Sequence, residues 1–145
     1  MAVYNQRNGT KTATLFLTRA EVQEMSYACL CARNYLRATQ SASTVRAQLE
    51  DVSAGVLMEV FESSNPTTIN STFNRLYAGL SATARSSAAS KVEAAANDLG
   101  DIVQMAINKG ASFVEVFVSY VEIYETQYGG VENEIPRAVS VKQYY

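Results

Sequence analysis

Apolar residues recur at helical spacing in four stretches of this 145-residue chain. The first runs from about Arg19 to Arg37, where Val22, Met25, Cys29, Ala32 and Leu36 follow the i, i+3, i+4 rule. Thr18 as N-cap and Glu21 three residues on form a capping box at its start. The second, about Thr44 to Val52, aligns Val45, Leu49 and Val52. The third opens on Asn65 as N-cap with Pro66 in the first helical position, and carries Ile69, Phe73, Leu76, Tyr77 and Leu80. The fourth starts near Ser90 with Glu93 as its capping-box partner and runs to Gly110, a natural C′ residue. Thr14–Leu17 reads as a short extended lead-in, and Val56–Phe61 as a short strand in need of a partner.

The C-terminal third is divided between two periods. Val114, Val116, Val118, Val121 and Ile123 suit a strand, whereas Glu115, Ser119, Glu122 and Thr126 recur at helical spacing. Ser112 with Glu115 is a further capping box and Gly129-Gly130 a stop, so the balance over 112–128 falls on a helix. Residues 1–13 read as a flexible polar arm with a turn at Asn8-Gly9. Residues 131–145, with Pro136 and no clear period, read as a surface tail.

Length fits one domain with a sizeable core, and the composition, 48% apolar and 18% charged, is that of a soluble globular protein. No window approaches the ~18 apolar residues of a membrane span, and the polar N-terminus does not match a secretory signal. Cys29 and Cys31, two apart on a helix, point to different faces, which suits buried free thiols in a reducing compartment. Net charge is −2, but the distribution is uneven. Residues 1–91 hold nine Lys/Arg against six Asp/Glu, and residues 92–145 hold three against eight.

Catalytic chemistry is thinly supplied. There is no histidine, no phosphate-cradling Gly loop and no ligand set beyond Cys29 and Cys31 for a metal. The carboxylates Asp98 and Asp101 share a helix face, which reads most simply as a solvated pair. These features point away from an enzyme and imply no cofactor. The distinctive stretch is Leu80-Ser-Ala-Thr-Ala-Arg85-Ser-Ser-Ala-Ala-Ser-Lys91. It reads as a helix-to-helix turn made of small residues, with two cations and no acid before Glu93. Small residues permit close approach of neighbouring chains, and unpaired cations suit a polyanion, so the stretch implies side-by-side packing around a nucleic acid.

The order of parts resembles the coat proteins of rod-shaped plant viruses, the tobamovirus-like (virgavirus) family. Thr14-Leu-Phe-Leu-Thr18, the first helix with Cys29 and Ser43-Thr-Val-Arg-Ala-Gln-Leu-Glu-Asp-Val52 resemble its front half. Arg75-Leu-Tyr-Ala-Gly-Leu-Ser-Ala-Thr-Ala-Arg85 looks like its third helix running into an RNA-contacting Arg. Lys91-Val-Glu-Ala-Ala-Ala96 and Asn108-Lys-Gly-Ala-Ser112 are similar to the opening and exit of its fourth helix. Ala94 and Ala42 stand where the family has an acid and an Arg, and the inner connection is shorter.

The resemblance implies a mainly all-α fold: an antiparallel four-helix bundle with a small sheet at one end and extended termini, as one coat-protein-like domain over residues 1–145. It implies helical self-assembly into rods around single-stranded RNA, without a membrane, in a virion and the host cytoplasm. Arg85 and Lys91 would neutralise phosphates, Ser90 would add a donor, and Arg46 or Arg37 would stand in for the Arg replaced by Ala42. Glu50, Asp51 and Glu93 are candidate subunit-contact carboxylates whose repulsion would raise their pKa values and make assembly pH-sensitive. The alternative reading is a cytosolic four-helix interaction module or filament subunit without nucleic acid.

Overall fold

The computed structural model describes residues 3–7, 10–37, 41–61, 65–66, 81–125 and 130–145. In chain order these form β1 (Val3–Arg7), β2 (Thr10–Thr18), α1 (Arg19–Leu36), α2 (Ala42–Leu49), α3 (Ala54–Phe61), α4 (Ala82–Lys109), β3 (Phe113–Glu125) and β4 (Gly130–Tyr144). The third predicted helix lies outside the described residues beyond Asn65 and Pro66, so Arg75 does too; Pro66 itself is helical.

The main correction concerns fold class. The strands are not a small appendage to a four-helix bundle. They form a four-stranded antiparallel sheet in the order β1-β2-β3-β4, and helices cover one of its faces. Residues 1–13, expected as an arm, include β1 and part of β2, which pair from Val3↔Thr14 to Arg7↔Thr10. Residues 131–145, expected as a surface tail, belong almost entirely to β4, which pairs with β3 from Val114↔Tyr144 to Glu125↔Gly130. Segment 112–128, expected as a helix, is mostly β3. Val114, Val116, Val118 and Tyr120 are all buried, so period two governs. The Ser112 cap goes unused because that backbone is already tied: Ser112 N–H donates to Tyr145 O at 2.9 Å, and Ser112 O accepts from Arg19 N–H at 3.1 Å.

Val56–Phe61 corrects in the opposite direction. Here Val56, Leu57, Val60 and Phe61 are buried on a helical stripe, and Leu57 N–H donates to Ser53 O at 3.0 Å. The start of α4 is also earlier than expected. Ser81 is its N-cap, accepting from Ala84 N–H at 3.1 Å, so Leu80–Lys91 is largely helix and not a turn. The helix ends as predicted at Gly110, whose φ of 67° is left-handed and suits a residue without Cβ. Likewise α1 starts on its capping box, with Thr18 and Glu21 exchanging bonds of 3.0 and 3.1 Å.

Helices α1 and α4 are antiparallel neighbours. Ser26 Oγ donates to Ala96 O at 2.9 Å, Arg33 and Arg37 reach Glu93, and Arg19 meets Ser112 beyond the far end of α4. Close approach is possible because α4 buries Ala88, Ala89, Ala95, Ala96 and Ala106 and α1 buries Ala28 and Ala32. Under the sheet, Ala13, Leu15 and Leu17 of β2 join the valines of β3 and Ile135 and Val139 of β4 in the same core. Edge strand β4 is secured from the side: its Val139 N–H donates to Asp98 Oδ2 of α4 at 3.0 Å. Pro136, which cannot donate, sits on this edge strand beside the register shift at Ser119/Tyr120.

The two faces of the sheet should respond differently to truncation. Leu99→Ala, at a fully buried α4 position, should cost ~2–5 kcal/mol of unfolding free energy in urea. Phe16→Ala, on the exposed face, should cost less than ~1 kcal/mol; comparable losses would show that the outer face is covered within the monomer.

Candidate functional site

The N-terminal third of α4 holds three of the five predicted RNA-binding residues. Arg85 is half-buried and has a partner of its own, whereas Ser90 and Lys91 are exposed. Arg85 and Lys91 do not flank a turn where two helix ends meet. Six residues apart on one helix, they are ~9 Å apart along its axis and ~120° apart around it. They therefore face different directions and cannot grip one phosphate together. Ser90 lines a shallow depression with Ala82, Thr83, Ser86 and Ser87. Residues 82–92 make about 16 Å of α4 without a carboxylate, with Ala88, Ala89 and Val92 buried and Thr83, Ser86, Ser87, Ser90 and Lys91 exposed.

Arg37 is committed elsewhere. Glu93 Oε2 accepts from Arg33 at 2.7 Å and from Arg37 at 2.9 Å, and its Oε1 accepts from Arg37 at 3.4 Å. Arg33 also donates to Asn34 Oδ1 at 3.0 and 2.8 Å. The hydrogen bonds from Arg37 and then Arg33 hold the Glu93 carboxyl below its usual value of 4.5. This reverses the expectation for Glu93. It was a candidate for a carboxylate raised by like charges, and instead it is lowered by two guanidinium groups. Its neighbours in space come from α1, 56 and 60 residues away in sequence, which no local charge count shows.

The other predicted positions lie apart from this network. Arg46 is exposed in the last turn of α2, and Glu50 and Asp51 are exposed just after it. Asp51 lines an open groove of about 510 Å³ between α1 and the end of α2, with Gln23, Glu24, Tyr27 and Gln48. Glu24 is already engaged, accepting from Ser53 N–H at 2.8 Å. Behind the groove, Cys31 Sγ donates to Gln48 Oε1 at 3.6 Å. Burial pushes the Cys31 thiol up to about 11, and raises Cys29, which is fully buried, further still. Both are free thiols, and no group of three or more metal-ligating side chains occurs among the described residues. No helix among them is long and apolar enough to cross a membrane.

Two features escaped the sequence reading. One is a polar cluster beneath the sheet. Lys11 Nζ lies 3.9 Å from Glu134 Oε2 and 4.7 Å from the centre of the Tyr120 ring, and Tyr120 OH donates to Glu59 Oε2 of α3 at 3.3 Å. The other is an aromatic cluster on the uncovered face. Phe16, Phe113 and Tyr145 are 45%, 46% and 51% exposed, and the Phe16 and Tyr145 rings lie 5.0 Å apart. Phe113 and Phe117 alternate with the buried valines, the signal that would have exposed this face had β3 been read as a strand.

The Glu93 pair gives a pH test. A carboxyl with a depressed pKa in the folded state stabilises above its ordinary pKa, and that contribution is lost as pH falls through the lowered value. The urea midpoint difference between the native protein and Glu93→Gln should thus be full at pH 7 and shrink below about pH 4. A difference that widened toward acid would reverse the assignment. For Cys31, a pKa of about 11 predicts iodoacetamide labelling at neutral pH ~100-fold slower in the folded than in the unfolded chain. Equal rates would place the thiol in solvent.

Comparison with known proteins adds no relative: no family model, no curated protein and no solved structure matches this chain.

Proposed function

We propose that this protein is a structural, non-enzymatic subunit that self-assembles around single-stranded RNA, as a virion coat in the host cytoplasm. The observation that carries the reading is the N-terminal third of α4. From Ala82 to Val92 it presents Thr83, Ser86, Ser87 and Ser90 to solvent, bears Arg85 and Lys91, and has no acid. Serine and threonine weaken a helix interior, so a run of them at an exposed helix start suits contact with something outside the monomer. The positive end of the helix dipole favours phosphate at the first turn, Ala82–Arg85, and not as far in as Ser90 and Lys91. Lys91 has no ion-pair partner among the described residues. Lys91 is the stronger candidate phosphate contact, because Arg85 is partly engaged and Arg37 is held by Glu93. Short matches to rod-shaped virus coat sequences point the same way.

A second reading, a filament or interaction subunit without nucleic acid, is favoured by the uncovered aromatic sheet face and the net charge of −2. Negative-stain microscopy with the 260 nm absorbance of purified particles separates the two. Rods that copurify with RNA support the coat; rods free of RNA support the filament; a monomer at every pH and concentration defeats both. If Arg85 and Lys91 each meet a phosphate, replacing both with Ala should flatten the log–log salt dependence of RNA binding by ~1.4. An unchanged slope would remove these two residues from the interface.

A further inference from the structure

We propose that the uncovered face of the sheet docks against the same face of a second copy, about a two-fold axis. The inference rests on the self-assembly reading and names a surface and partner for it. The helices bury one face of the sheet, while the other carries Phe16, Phe113, Phe117 and Tyr145 as a contiguous group. Register explains the grouping: Phe117 lies opposite Thr14, Phe16 opposite Glu115, and Phe113 opposite Thr18. Tyr145 joins them by pairing with Phe113, with Tyr145 N–H to Phe113 O at 2.9 Å. Exposed aromatic clusters of this kind mark contact surfaces.

Charge on this face selects the occupant. Glu115 and Lys142 flank the aromatics, Lys142 Nζ lying 5.9 Å from the Phe117 ring centre, and Arg137 is exposed further along β4 at the Ser119/Tyr120 register shift. Neither Glu115 nor Lys142 forms an ion pair among the described residues. The one cation and one carboxylate beside the aromatics cancel, so the aromatic cluster itself lacks the positive surplus that a nucleic-acid stacking platform needs. The same neutral pair is self-complementary. In a two-fold contact every interaction occurs twice, so Lys142 of each copy can meet Glu115 of the other.

Size is consistent with a reversible contact. The aromatics lie on β2, β3 and the end of β4; three strands ~4.8 Å apart over the seven-pair β2–β3 ladder, at ~3.3 Å per residue, give a flat face of roughly 330 Å² before side-chain relief. That is below the ~600–800 Å² that each partner supplies to a stable interface, as for a weak, transient contact. Two such faces would stack ~10 Å apart as a sandwich.

The test is sedimentation velocity on the full chain from ~1 to ~500 μM, the range for a contact of this size. The native protein should dimerise with rising concentration. Glu115→Lys and Lys142→Glu should each be monomeric where the native protein is dimeric. An equimolar mixture of the two variants should dimerise, because only the mixed pair restores both contacts. Phe16→Ser with Phe113→Ser should weaken the dimer at least ~10-fold with an unchanged circular dichroism spectrum. Single variants that dimerise like the native protein, or a mixture that stays monomeric, would overturn the proposal. So would a labelled oligouridine whose binding is lost in the Phe variants while dimerisation is not, which would make the face a base-stacking surface. Micrographs of the same samples separate this claim from the one it rests on. Rods unaffected by these variants would leave self-assembly standing and remove only this surface; a native protein that never assembles would remove both.

Discussion

The close contact between α1 and α4 is the constraint on which the rest of the molecule depends. A side-chain hydroxyl of one helix reaches a main-chain carbonyl of the other, as Ser26 does to Ala96, only when the two axes are near. Alanine on both helices permits that distance. Once it is set, α1 leads directly from β2 and α4 leads into β3, so the helix pair brings β2 and β3 side by side. Residues nearly a hundred positions apart become ladder partners, such as Leu17 and Val114. The strands at either edge then add to this central pair.

A consequence is an asymmetric sheet. One side is filled by helix side chains and the other is left to the alternating partners of the same strands. Every inward valine on β3 fixes an outward residue beside it, and the sequence places phenylalanine at two of those positions. Such a face is costly in a monomer, because large apolar groups remain hydrated. This face is the feature on which the proposed self-association rests.

Charge is distributed by the same packing. The antiparallel helix pair carries Glu93 to the C-terminal turn of α1, where Arg33 and Arg37 both bind it. Two of the chain's cations are thereby used internally. The basic surplus of residues 1–91 is smaller at the surface than a count suggests, and Arg19, Arg46 and Lys91 are exposed on three different helices.

What the sequence determined by itself is local. The Thr18–Glu21 capping box, the stripe of α1 and the glycine stop at Gly110 each depend on residues within a few positions, and each is where spacing predicts it. Tertiary structure decided the segments with two compatible periods. Residues 113–125 became a strand because β2 and β4 lie on either side to accept their hydrogen bonds, and residues 54–61 became a helix that packs on α1. Residues 3–7 and 130–144 carry no clear period yet are ordered by a neighbour's backbone. The stretch Leu80–Lys91, expected as a turn between helices, is helical from Ala82, because small residues fit a helix as easily as a bend. The physical reason is common to all of them. A helix closes its hydrogen bonds within itself, so its signals lie in adjacent residues, whereas a strand closes them on partners that the linear sequence does not name.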